Sequence, residues 1–217
     1  MATIEQARED PSLRLEQALL DADRPAAAAA LAAARAREGA GAVERVLVPA
    51  LERIGAGWEQ GRLALSQVYM AGRICEDLAE AILPTAGTLR RSGEAIGIAV
   101  LEDHHLLGKR IVTATVRSAG WPIQDLGHGM SAQALAARVA GSGIRVLLVS
   151  TLMLRAALHV GELVRLLRAG NTPVRVLVGG APFRIDRELW REVGADAMGA
   201  SASDALPLLE RFAGGSR

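Results

Sequence analysis

His104 and His105 stand side by side, with Asp103 directly before them and Gly108 three positions after the second histidine. In extended chain, residues two apart face the same way, so Asp103 can meet His105 while His104 points elsewhere. A carboxylate that accepts the N–H of one imidazole nitrogen fixes the tautomer and leaves the other nitrogen free to bind a metal. No cysteine set or acidic cluster accompanies these histidines, so the protein alone could not complete a coordination shell. A metal already held in a macrocycle would need only an axial ligand. On these residues alone the plainer reading is favoured, in which His105 packs or caps locally and Asp103 starts a turn.

The elements around them have two periodicities. From Leu13 to about Leu83 apolar residues recur at helical spacing, which predicts helices near Leu13–Leu20, Pro25–Arg37, Val43–Gln60 and Ser66–Ile82. Short connections favour an antiparallel four-helix bundle. The stretch Pro84–Glu94 is rich in Pro, Gly, Thr, Ser and charge and reads as a linker, giving a helical domain over 1–90 and a second domain over 91–217.

Beyond the linker, strand-like runs at Ala95–Leu101, Pro122–Leu126, Val146–Ser150, Val174–Val178 and Ala195–Met198 alternate with helical runs. The helical runs are Leu107–Ala119, Ala132–Ala140, Leu154–Leu167, Ile185–Val193 and Ala205–Phe212. Apolar strands alternating with helices predict an α/β fold, a five-stranded parallel sheet of flavodoxin-like (Rossmann-like) type with helices on both faces. Ligands bind such sheets at the strand C-terminal ends, here Glu102–Gly108, Gly127–Ser131, Ser150–Leu154 and Gly179–Phe183.

Asp103, His105 and Gly108 resemble the Asp-x-His-x-x-Gly motif of cobalamin-binding domains, found in methionine synthase, methyltransferase corrinoid proteins and cobalamin photoreceptors. Ser150-Thr151-Leu152 resembles that family's Ser-x-Leu motif, Gly179-Gly180 its Gly-Gly pair, and Asp125-Leu126-Gly127 its Asp-x-Gly at the end of the second strand. The resemblance spans about Ile96 to Leu209. It implies bound cobalamin, as methylcobalamin or adenosylcobalamin, with His105 replacing dimethylbenzimidazole as lower cobalt ligand and Asp103 orienting it. Gly108 would make room for the displaced nucleotide tail, Ser150 would hydrogen-bond its base, and Gly179 and Gly180 would let the tail lie against the backbone. Leu152 belongs to the same motif. The segment Gly127-His128-Gly129-Met130-Ser131-Ala132 also fits a dinucleotide fingerprint, but it follows the second strand, and Val149 and Ser150 stand where an acidic residue is required.

Over Leu51–Leu83 the helical half resembles the bundle that caps the corrin in this family, with Trp58, Tyr69 and Met70 on the cofactor side. The same residues at helical spacing would ordinarily be bundle core. Light-sensing relatives carry a Glu-His pair after this tryptophan, where Val68-Tyr69 stands here, so an upper histidine is missing. The residues before Leu13 are too few for a DNA-binding domain. The resemblance implies first a methyl-carrying corrinoid subunit served by separate methyltransferases, then a light or cofactor sensor with a regulatory partner, then a cobalamin storage or delivery protein.

Composition agrees with these readings and excludes others. A net charge of +1, from 25 basic and 24 acidic residues, gives no reason to expect direct nucleic-acid or anionic-membrane binding. A single cysteine, Cys75, rules out an intramolecular disulfide framework, and a reducing cytoplasm is expected. The polar start, Met1 to Ser12, does not read as a signal peptide, and no apolar run is long enough to span a membrane. A homo-oligomer is compatible with all of this.

Overall fold

The computed structural model describes residues 10–38, 40–82 and 95–213. The chain divides into two compact units, Met1–Pro84 and Thr85–Arg217. The expected linker Pro84–Glu94 lies outside the described residues.

The first unit contains the four expected helices, α1 (Pro11–Leu20), α2 (Arg24–Glu38), α3 (Ala40–Glu59) and α4 (Leu65–Ile82). Asp10 starts α1 by accepting the Ser12 amide at 2.8 Å, and Pro11 occupies a first-turn position that needs no N–H. The core is one stripe from each helix, including Leu15, Leu19, Leu31, Leu47, Ile54 and Ile74, all fully buried. Arg53 ties α3 to α1 through Glu16 and the Ser12 hydroxyl, and Arg24 reaches Asp77 of α4 at 2.8 Å.

In the second unit β1 (Ile96–Leu101), β2 (Ile123–Met130), β3 (Val146–Ser150), β4 (Arg175–Gly179) and β5 (Ala197–Gly199) form one parallel sheet in the order β2-β1-β3-β4-β5. Successive residues of one strand serve opposite faces. Val146 and Leu148 join Ile96, Ile98, Trp121 and Leu209 on one side, while Leu147 and Val149 join Leu101, Leu135, Val160 and Leu163 on the other. Burial on both faces explains why β1, β3 and most of β4 read as apolar runs. The covering helices are α5 (Leu107–Ser118), α6 (Ala132–Ala140), α7 (Leu154–Ala169) and α10 (Ala205–Ala213). In this strand order the chain reverses its direction of growth between β1 and β3, and that switch point opens a crevice at the strand C-terminal ends.

Two expectations need correction. The second strand continues past Leu126 to Met130, so Gly127–Met130 is strand and not loop. Gly127 and Gly129, at φ +95° and +70°, bend the strand, and its register against β1 skips to Val100 opposite His128 and Leu101 opposite Met130. The single helix expected over Ile185–Val193 is two short ones, α8 (Ala181–Ile185) and α9 (Leu189–Glu192). Between them the Asp186 carboxylate accepts the Glu188 amide at 2.9 Å and turns the chain.

Phe183 anchors α8 by burying its whole side chain in the core beside Leu189 and Val193. Phe183→Ala is expected to cost about 3–5 kcal/mol of stability. Urea unfolding measures this, and a loss under about 1 kcal/mol would contradict the packing described.

Candidate cofactor site

The crevice is organised by Asp103, which is only 4% exposed although it is a carboxylate. Its Oδ1 accepts the backbone N–H groups of His104 (2.7 Å) and His105 (3.1 Å) and also contacts His105 Nδ1. Its Oδ2 accepts the amides of Leu152 (3.0 Å) and Met153 (3.2 Å) at the entrance to α7. That helix has no side-chain cap of its own at Met153, so Asp103 supplies a carboxylate where the amides and the helix dipole favour one. One residue thereby binds the exits of β1 and β3 across the switch point. Burial raises the Asp103 carboxyl, but hydrogen bonds from the His105 ring and from the Leu152 and His105 amides outweigh it and hold the group below the usual carboxylate range.

The Asp103–His105 contact is present, but its geometry differs from the extended-chain expectation. Glu102 has φ +47°, and Asp103 takes up the next two amides in a turn. The turn buries Asp103 and leaves the His105 side chain 53% exposed. With Nδ1–H donated to the carboxylate, Nε2 keeps the free lone pair. His104 goes elsewhere: its ring lies over Gly129, where an added Cβ would stand 2.6 Å from the ring, and meets His128 edge to face at 5.7 Å.

Gly108 and Ser150 face each other across the crevice, since a Cβ on Gly108 would come 3.1 Å from Ser150 Oγ. Ser150 and Gly179 are register partners on β3 and β4. Gly180 is needed by the fold itself: it has φ +122°, and a Cβ there would lie 1.8 Å from the Thr151 carbonyl oxygen. Leu152 contributes its amide to Asp103 while its side chain is exposed, as are those of Met153, Leu154 and Leu158. Trp58, Tyr69 and Met70 are exposed in the helical unit and do not form its core.

Sequence reasoning missed two side-chain pairs. Lys109, buried beside Gly108, donates to both oxygens of Asp125 (2.8 and 2.9 Å), and Asp125 also accepts the Gly127 amide at 2.7 Å. Burial raises the Asp125 carboxyl, and these donors outweigh it to lower it overall. The other pair joins Glu102 to His159 of α7. A lysine directly after the motif glycine was the available signal for the first; the second had none.

The residues fit a cofactor that brings its own metal. Among the described residues no three His, Cys, Asp or Glu side chains converge to hold an ion, yet one exposed imidazole is oriented by a buried carboxylate. At the exit of β3, Thr151 Oγ1 is buried without a hydrogen-bond partner among the described residues, and the glycine at 108 leaves open the space facing Ser150.

Comparison with known proteins finds matches for both parts of the chain. The B12 binding domain family matches residues 93–210, and a second B12 binding domain family matches residues 13–82. A corrinoid protein of Desulfitobacterium hafniense is 29% identical over 79% of this chain and 82% of its own. Dimethylamine corrinoid protein 1 of Methanosarcina mazei is 27% identical over 92% of this chain and 94% of its own. The monomethylamine corrinoid protein of Methanosarcina barkeri shares the fold, with TM-score 0.76 at 23% identity over 91% of this chain and 95% of that one. A chain of the methanol:cobalamin methyltransferase complex of the same organism aligns with TM-score 0.51 at 19% identity, over 96% of this chain and 81% of that one. No helix among the described residues is long and apolar enough to cross a membrane.

Because the folded-state Asp103 carboxyl lies below its unfolded value of about 3.9, its stabilisation is present above that value and is lost as pH falls through the lowered one. Asp103→Asn removes this contribution. The wild-type advantage in unfolding free energy should therefore shrink as pH is taken from about 6 to about 3, and an advantage independent of pH would contradict the assignment.

Proposed function

Because this chain belongs to the B12 binding domain family, we propose that it is a methyl-carrying corrinoid subunit that works with separate methyltransferases and holds cobalt through His105. The observation that carries this reading is the Asp103–His105 pair at the switch point, with Nε2 of an exposed imidazole left free. Cobalamin supplies a cobalt centre that accepts and gives up a methyl group.

The chain's own residues have distinct parts in this reading. Asp103 fixes the His105 tautomer and, through Leu152 and Met153, the distance between the β1 and β3 exits. Gly108 and Ser150 border the space for the nucleotide tail, with the Ser150 hydroxyl offered to its base and the exits at Gly179 and Gly180 beside it. In the helical unit Trp58, Tyr69 and Met70 are exposed apolar side chains of the kind that would suit a corrin. The separate methyltransferase is supported by relatives that are themselves named corrinoid proteins and by the fold shared with a chain of a methyltransferase complex.

Two experiments test the reading. Reconstituted His105→Ala should lose the base-off, histidine-on absorption spectrum, and His104→Ala should keep it; the opposite result would move the ligand by one residue. For the methyl carrier, the reduced holoprotein should gain a cobalt-bound methyl group when incubated with a methylamine and a methyltransferase specific for it. The relatives' names make mono- and dimethylamine the first donors to try. Failure of every methyl donor, with the cofactor bound and reducible, would contradict the carrier role.

A further inference from the structure

The left-handed residue at the end of β1 is a glutamate, where glycine would meet the conformation without strain. Glu102 has φ +47°, and its amide donates to the Met130 carbonyl at 3.0 Å, closing β1 against the last residue of β2. Its side chain crosses in the other direction to His159, 57 positions further on and near the start of α7. Both side chains are partly shielded, 24% and 36% exposed.

The turn at Glu102 decides where the next residue goes. With Glu102 in extended conformation the chain would carry Asp103 onward from the sheet, away from the Leu152 and Met153 amides that it now accepts. The same change would withdraw the carboxylate from under His105. A strained backbone persists only where its surroundings over-determine it. Here the surroundings are one backbone hydrogen bond to β2 and one side-chain hydrogen bond to α7. Because Met153 is the N-cap of α7, two neighbouring carboxylates, Glu102 and Asp103, attach the same loop to that helix and its entrance.

We infer that Glu102 and His159 are positioning residues for the lower cobalt ligand: their pair holds the turn that sets Asp103 beneath His105. The inference rests on the reading of His105 as that ligand. It concerns residues outside the Asp-x-His-x-x-Gly motif and one, His159, on another element.

The test uses the full chain reconstituted with cobalamin. It compares Glu102→Ala, Glu102→Gln, His159→Ala, the Glu102→Ala/His159→Ala double variant and His105→Ala. Cobalamin affinity is read by titration, and the histidine-on share is read by electron paramagnetic resonance of the cobalt(II) form. Removing either partner should weaken affinity about ten-fold and lower the histidine-on share, as loss of a residue that orients a metal ligand does. The double variant should be no worse than either single one, because both remove one interaction. Glu102→Gln should stay near wild type, since its amide oxygen can still accept from Nδ1–H. Wild-type affinity and histidine-on share in Glu102→Ala and His159→Ala would overturn the inference, even if their thermal stability fell. So would a Gln variant as impaired as the Ala variant. His105→Ala separates the two claims: if it keeps the histidine-on signal, the ligand reading fails, and if it alone loses that signal, only the positioning role fails.

Discussion

The second unit depends on one buried carboxylate. In a parallel sheet of this order the chain exits diverge beyond the paired ends of β1 and β3, where the strand register ends at Val100 opposite Ser150. Asp103 bridges them, taking two amides from its own loop and two from the start of α7. An ionised group so little exposed is tolerable only because each oxygen is fully used. The same satisfaction that makes its burial affordable also fixes the imidazole of His105.

This arrangement separates the roles of two adjacent histidines. His105 is turned outward with Nδ1 on Asp103, while His104 is seated over Gly129 beside His128. The bend of β2 that provides this seat is itself held by Asp125, through the Gly127 amide and Lys109. Contacts on β2 and α7 therefore brace the ligand loop from both sides. A metal centre delivered inside a macrocycle would require that kind of support, because a protein contributing a single axial bond must define it through outer contacts.

Much of this was readable in the residues. Strands β1 and β3, buried on both faces, announced themselves as unbroken apolar runs, and the spacing of Asp103, His105 and Gly108 directed attention to the C-terminal end of β1, beside the switch point. The local conformation was less readable. Gly127 and Gly129 look like chain breakers, yet they let β2 bend and continue to Met130. Leu152 acts through its amide, which no side-chain pattern encodes. The Lys109–Asp125 and Glu102–His159 pairs join residues 16 and 57 positions apart, and only the folded sheet brings such residues together. In the helical unit, periodicity located the helices but could not show that Trp58, Tyr69 and Met70 are exposed.

In the proposed function a protein imidazole, that of His105 held by Asp103, is the lower ligand of cobalt. The most direct measurement is electron paramagnetic resonance of the reduced cobalt(II) holoprotein produced with nitrogen-15 histidine. Superhyperfine splitting from the axial nitrogen should change from a triplet in unlabelled protein to a doublet in labelled protein. A triplet that persists after labelling would mean that the cofactor's own base stays on cobalt, and would contradict ligation by His105.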